Sequence, residues 1–129
     1  MRGKLAFGIV ALGVVAGAAP LFAHHSFTAL YDTDKVVKIE GRLTQFMFRN
    51  PHSFVHLDVK EEDGQVTRYA IEWAAAGQLT RDGVSGGSLR PGDLVVVTGN
   101  PGRNTSDHRL RMKTLTRTSD GLKWGGTFD

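Results

Sequence analysis

The 129-residue sequence predicts a mainly β protein: one small barrel of five to six strands, with a single short helix after the third strand. Three observations predict it. Apolar and polar residues alternate with period two in separated stretches, as in Val55, Leu57 and Val59 against Phe54, His56, Asp58 and Lys60. The period changes once, at the alanine-rich residues 74–82. A first strand too long for a flat sheet, residues 36–49, carries a one-residue shift in its apolar phase.

The elements follow in order. Residues 1–23 read as a signal peptide: a basic head (Arg2, Lys4), an apolar run from Leu5 to Ala19, then Pro20 and a small residue, Ala23. The run is short for a membrane span, which needs roughly 20 apolar residues, so no span is expected once the leader is removed. A retained anchor is the competing reading, and Ala18 or Ala19 are alternative cleavage positions to Ala23. Residues 24–129 form the predicted domain. Its polar lead-in, 24–34, carries Phe27, Leu30 and Tyr31, able to dock on a core. Val36–Arg49 is the first strand. Val37, Ile39 and Leu43 share a face that shifts to Phe46 and Phe48, which predicts a bulge near Thr44-Gln45 and a bend at Gly41. The turn Asn50-Pro51 ends it. Ser53–Lys60 and Gln65–Trp73 form a hairpin around Glu61–Gly64, with Tyr69, Ile71 and Trp73 inward. Ala74–Asp82 is the helix, stopped by Gly83. Leu94–Gly99 and His108–Arg117 are the last strands, with Leu110 and Met112 opposite Arg109, Arg111 and Lys113. A short tail contains Trp124. Three strands, a helix and two more strands is the order of an OB-like barrel.

Composition narrows the chemistry. The formal charge of +3 includes Arg2 and Lys4, so without the leader 14 basic side chains face 13 acidic ones, a net +1. General attraction to nucleic acid or anionic lipid is not indicated, and nucleic acid is not expected as a partner. The basic stripe on the last strand reads as a solvated face, and the phenylalanines as core. No cysteine is present, which excludes thiolate metal sites and thiol catalysis. No G-x-S-x-G, Walker, H-E-x-x-H or dinucleotide motif occurs. The clustered carboxylates Glu61, Glu62 and Asp63 belong to a hairpin turn, so a hydrolase is unsupported.

The five histidines carry the sharpest signal. Cleavage after Ala23 would leave His24 as the amino terminus, offering an amine and a ring nitrogen to one ion. Amine and imidazole nitrogens suit Cu(II), and an amino group of pKa roughly 8 puts up little proton competition at neutral pH. His25 offers an alternative grip through the amine, the intervening amide and its own ring. His52, at the turn after Asn50-Pro51, is the first choice for a further imidazole, with His56 and His108 behind it. His52 and His56 lie about 13 Å apart along a strand, too far to share an ion. The predicted metal site is therefore His24, His25 and His52, with copper as the ion.

"AHHSF" (23–27), "NPH" (50–52) and "LRPGDLVVVTGNPGRN" (89–104) resemble a family of small exported bacterial proteins of unknown function, over nearly all of residues 23–124. Leu21 and Ala74–Ala76 depart from that family's usual pattern of leader end and glycine-rich segment. The resemblance implies a periplasmic location and one β-rich domain, and supplies no activity. The expected function is a periplasmic binding module, copper-binding through the mature amino terminus. The alternatives are a metal-free adaptor for a polymer or protein partner, and a copper oxidase.

Overall fold

A barrel of this size needs one strand to serve two halves of the sheet, and the first strand does so. In the computed structural model, which describes residues 27–129, β1 (Val37–Met47) pairs with two neighbours in succession. Its first half, Val37 to Arg42, runs antiparallel to β4 (Leu94–Pro101). Its second half, Arg42 to Met47, runs antiparallel to β2 (Ser53–Lys60). Gly41 sits at the changeover. A Cβ there would lie 2.8 Å from the Asp58 carbonyl oxygen, so only glycine lets the strands approach this closely. The expected bulge is present: the register shifts between Leu43 and Gln45, and the Thr44 hydroxyl donates to the His56 carbonyl at 3.2 Å. The extra residue keeps Leu43 inward and then turns Phe46 toward Trp73, ring centroids 5.6 Å apart.

β3 (Val66–Trp73) pairs along its whole length with β2, and β5 (Arg109–Arg117) pairs with β4. Parallel pairing of Ala70, Ile71 and Glu72 with Arg109, Leu110 and Arg111 closes the sheet. The strand order β3-β2-β1-β4-β5 with this closure is an OB-type barrel, and β6 (Lys123–Gly125) adds a short extra strand to β5. β6 lies in what the sequence shows only as a tail. It buries Trp124, whose ring packs edge-on against Trp73 and whose Nε1 donates to Asp82 at 2.9 Å.

The helix α1 (Ala76–Arg81) begins two residues later than its alanines predict. Backbone groups at its start are already committed elsewhere: the Ala74 carbonyl accepts from Ser53 N on β2, and Ala76 N donates to Arg49 O in the turn after β1. Gly83 ends it at φ +85°, the cap the sequence predicts. Leu79 on α1 is fully buried in the same core as Val55, Leu57, Ile71, Val97, Leu110 and Leu115. Phe46 and Phe48 pack against that core, whereas Phe54 lies on the outer face with the Arg49 guanidinium 5.3 Å above its ring. Among the described residues no helix is long and apolar enough to cross a membrane. The predicted leader and cleavage site lie outside the described residues.

A second bulge, between Thr98 and Gly99, brings β4 against β5 so closely that a Cβ on Gly99 would lie 2.4 Å from the Arg111 carbonyl oxygen. Gly99→Ala is therefore expected to lower stability by about 1–3 kcal/mol in urea unfolding. Gly87→Ala, with nothing near its added methyl, should stay within about 0.5 kcal/mol of the parent.

Candidate functional site

Alternation on β3 sends Ile71 and Trp73 into the barrel and Glu72 out of it, yet Glu72 is only 7% exposed. Two chain segments cover it. The first is the lead-in. Residues 27–30 form a helical turn closed by Tyr31 N donating to Phe27 O at 2.7 Å, which puts Phe27 and Tyr31, four apart, on one side. Tyr31 also bridges to Gly102, while Arg103 donates to the carbonyls of Leu30 and Thr28 at 2.9 and 2.7 Å. The second is the tail after β6, which lays Phe128 against Phe27, centroids 5.8 Å apart and nearly perpendicular.

Beneath these segments Glu72 is the hub. Its Oε2 accepts from the Tyr31 hydroxyl at 2.5 Å, and its Oε1 lies 2.8 Å from His52 Nδ1. Arg109 Nη2 approaches Oε2 at 3.9 Å, with the guanidinium 5.9 Å from the Tyr31 ring centroid. Burial, then the hydrogen bond and charge of Glu72, push the Tyr31 phenol well above its ordinary value, so it stays a neutral donor. His52 Nε2 faces the Asp129 backbone oxygen at 2.9 Å, and its ring lies 5.3 Å from Phe27 and 5.8 Å from Phe128. A carboxylate that accepts Nδ1–H fixes which ring nitrogen is left for other work: here it is Nε2.

The basic stripe on β5 is not the solvated face expected of it. Arg111 lies 4.0 Å from the Phe27 ring centroid and 4.9 Å from that of Phe128, and its Nη2 donates to the Phe128 carbonyl. The lead-in and the tail cover this part of the sheet. The reason lies in tertiary docking, which alternation along one strand does not encode.

Of the predicted metal site, His52 is in this cluster, while His24 and His25 lie outside the described residues. The second choices lie elsewhere. His56 is on the outer face of β2 opposite Ala70, and His108 is an exposed left-handed residue (φ 46°) whose ring packs on Tyr69 at 5.4 Å. Among the described residues no three His, Asp or Glu side chains converge to hold a metal ion. Nothing in the sequence marks Glu72 or Phe128, and Arg109 is marked there only as part of the basic stripe. The aromatic residues of the lead-in, Phe27 and Tyr31, dock on the barrel as the sequence predicts, and both are buried.

The fold is that of the OB class, and the covered histidine–carboxylate pair sits on its outer face. The chain belongs to a family of unknown function, DUF6152, whose model matches residues 11–111. No curated protein matches it in sequence. Among solved structures, two crystal forms of the mitochondrial single-stranded DNA-binding protein Rim1 from S. cerevisiae are similar, at 17% and 19% identity. They cover 68% and 67% of this chain and 97% of theirs, each with a TM-score of 0.50. The likeness is one of fold. It nevertheless corrects the expectation that nucleic acid is excluded as a partner, because the barrel is shared with proteins that bind single-stranded DNA. That expectation rests on the leader and on a net charge near zero, and net charge does not govern what a local groove binds.

Removing the hub should be costly. Glu72→Ala leaves Tyr31, His52 and Arg109 without their shared acceptor, with an expected loss of about 3 kcal/mol in denaturant unfolding. Tyr31→Phe should cost about 1–2 kcal/mol. Because the Tyr31 pKa is raised on folding, its contribution is complete below pH about 10 and declines as pH rises beyond that. Unfolding measured at pH 8 and pH 11 should show this alkaline loss in the parent and a smaller one in Tyr31→Phe.

Proposed function

We propose that the protein is a periplasmic binding module that takes copper through a processed amino terminus, binding or buffering the ion rather than turning over a substrate. Cleavage after Ala23 would expose His24, whose amine and imidazole grip one Cu(II), with His25 beside it and the His52 imidazole completing the set. Nitrogen ligands of this kind favour Cu(II) over the other common divalent ions.

One observation carries the reading. Phe27, two residues after His25, packs on the His52 ring at 5.3 Å. His25 precedes Phe27 by two residues and His24 by three, chain lengths of at most about 7 and 11 Å, which supports His52 as the imidazole that would complete the set. The anchoring of Nδ1 by Glu72 adds to this, because metal-binding histidines are commonly held this way, with the other nitrogen turned to the ion. A second reading, a metal-free adaptor for a polymer or protein partner, is favoured by half-buried Phe54 beneath Arg49 on the outer face of β2.

Two versions of the protein decide between them: residues 24–129 with a native amino terminus, and the same chain with one extra residue before His24. Titrated with Cu(II), the first should bind tightly and melt higher, by about 4 kcal/mol of added stability when free ion exceeds Kd a thousandfold. The second should bind weakly, and His52→Ala in the first should lose one nitrogen from the Cu(II) spectrum. Equal, weak binding by both versions overturns the copper reading and leaves the adaptor.

A further inference from the structure

The two ends of the barrel are finished differently. Where β3 ends, α1 follows and buries Leu79 in the core. At the opposite end, where β1, β3 and β5 begin and β4 finishes, the core is left partly open. Alternation turns Val37 and Ile39 the same way as Leu43, and Tyr69 the same way as Ile71, yet these three are only half-buried. A cavity of about 190 Å³ lies there, lined by the apolar Val37, Ile39, Pro101 and Leu110 together with Tyr69 and His108.

The connection from β4 to β5 forms one wall, and its own bonds fix it. Gly102 N donates to Arg109 O and Arg103 N to Leu30 O, each at 2.9 Å, and Asn104 caps the 3-10 turn Thr105–Asp107 by accepting from Ser106 N. His108 ends that turn in the left-handed region, at φ 46° and ψ 53°. Glycine suits this conformation, and a side chain adopts it at a cost. The turn uses only the His108 backbone, whose carbonyl accepts from Ala70 N at 3.0 Å. The imidazole packs edge-on to Tyr69, centroids 5.4 Å apart. Neither the Tyr69 hydroxyl nor the His108 ring is hydrogen-bonded to another described residue. Burial, then the charge of Glu61, raises the Tyr69 phenol above its ordinary value, so it remains a neutral donor. That carboxylate also opposes an anion here, and Arg109, on the same cavity, turns its guanidinium toward Glu72 and Tyr31.

We propose that this mouth of the barrel is a binding site for a small neutral aromatic molecule bearing one hydroxyl, a phenol in the simplest case. The site shares no residue with the copper reading and stands without it. A cavity of about 150 Å³ suffices for benzene, so the space here admits one ring with a short substituent. The ring rests on Val37, Ile39 and Leu110 and meets the rings of Tyr69 and His108, an arrangement aromatic groups favour. Its hydroxyl exchanges hydrogen bonds with the Tyr69 hydroxyl and a His108 ring nitrogen. An apolar, preformed cavity with a few convergent polar groups is the usual form of a small-molecule site, and the mouth of a barrel is a usual place for one.

The test titrates isotope-labelled protein with p-cresol, toluene and benzoate and reads amide shifts and Kd by NMR. p-Cresol should shift Ile39, Gly102, His108 and Leu110 while leaving Leu79 and Trp124 in place. It should bind about fivefold more tightly than toluene, the worth of one hydrogen bond, and Tyr69→Phe should remove that margin. His108→Gly keeps the test open should Tyr69→Phe not fold, because glycine suits the left-handed backbone. It should fold as the parent does and bind p-cresol several-fold more weakly. Undiminished binding by His108→Gly overturns the proposal, since the histidine would then serve the turn alone. Toluene or benzoate binding as tightly as p-cresol overturns the neutral, hydroxyl-bearing class. Shifts centred on the outer face around Phe54, or none at all, overturn the site.

Discussion

A carboxylate on the outside of the barrel organises the surface that matters. Glu72 leaves β3 on the face away from the core, where a glutamate is normally hydrated. Here it is covered, and a buried carboxylate without partners would be strongly destabilising. Tyr31, His52 and Arg109 supply those partners from three different parts of the chain. The lead-in docks because Tyr31 reaches Glu72, and Phe27 is carried with it onto His52 and Arg111. The tail then fills the remaining side. One charge thus gathers the lead-in and the tail onto a single patch of sheet.

The barrel beneath provides a rigid platform for that patch. Closure is made by the parallel pairing of β3 with β5, and Glu72 and Arg111 are register partners across that seam. The site is therefore built at the point where the sheet closes, on backbone held from both sides. The bent β1 makes the closure possible: Gly41 and the bulge at Thr44 let one strand pair first with β4 and then with β2. The seam brings His52, at the start of β2, within reach of a strand that follows it and a tail that ends the fold. OB-type barrels elsewhere use their outer faces to receive ligands; this one covers part of that face with its lead-in and tail.

Much of the barrel is legible in the residues. Val55, Leu57 and Val59 alternate and are buried, and the phase shift from Leu43 to Phe46 located a bulge within a residue. Boundaries were less legible where distant backbone intervened: Ala74 is a good helix former but gives its carbonyl to Ser53, and β4 runs on to Pro101 because β5 offers it partners. The candidate site was legible only through His52, whose place after a turn marked it. Glu72 carried no mark, because in a strand that alternates it reads as one more outward polar residue. Arg111 misled for the same cause, its covering rings coming from residues 17 and 84 positions away.

What the sequence determined by itself is the local physics: period-two burial, the bulge, the glycine turns, and an OB-like order of elements. These follow from backbone sterics and from each strand's need to bury one face. Tertiary structure alone decided which outward residues would be covered, since that depends on where the ends of a closed sheet come to rest. The pairing of His52 with Glu72, the shielding of Arg111 and the tail on Nε2 are all consequences of that closure. They join segments far apart in the chain, and no residue's neighbours in sequence carry that information.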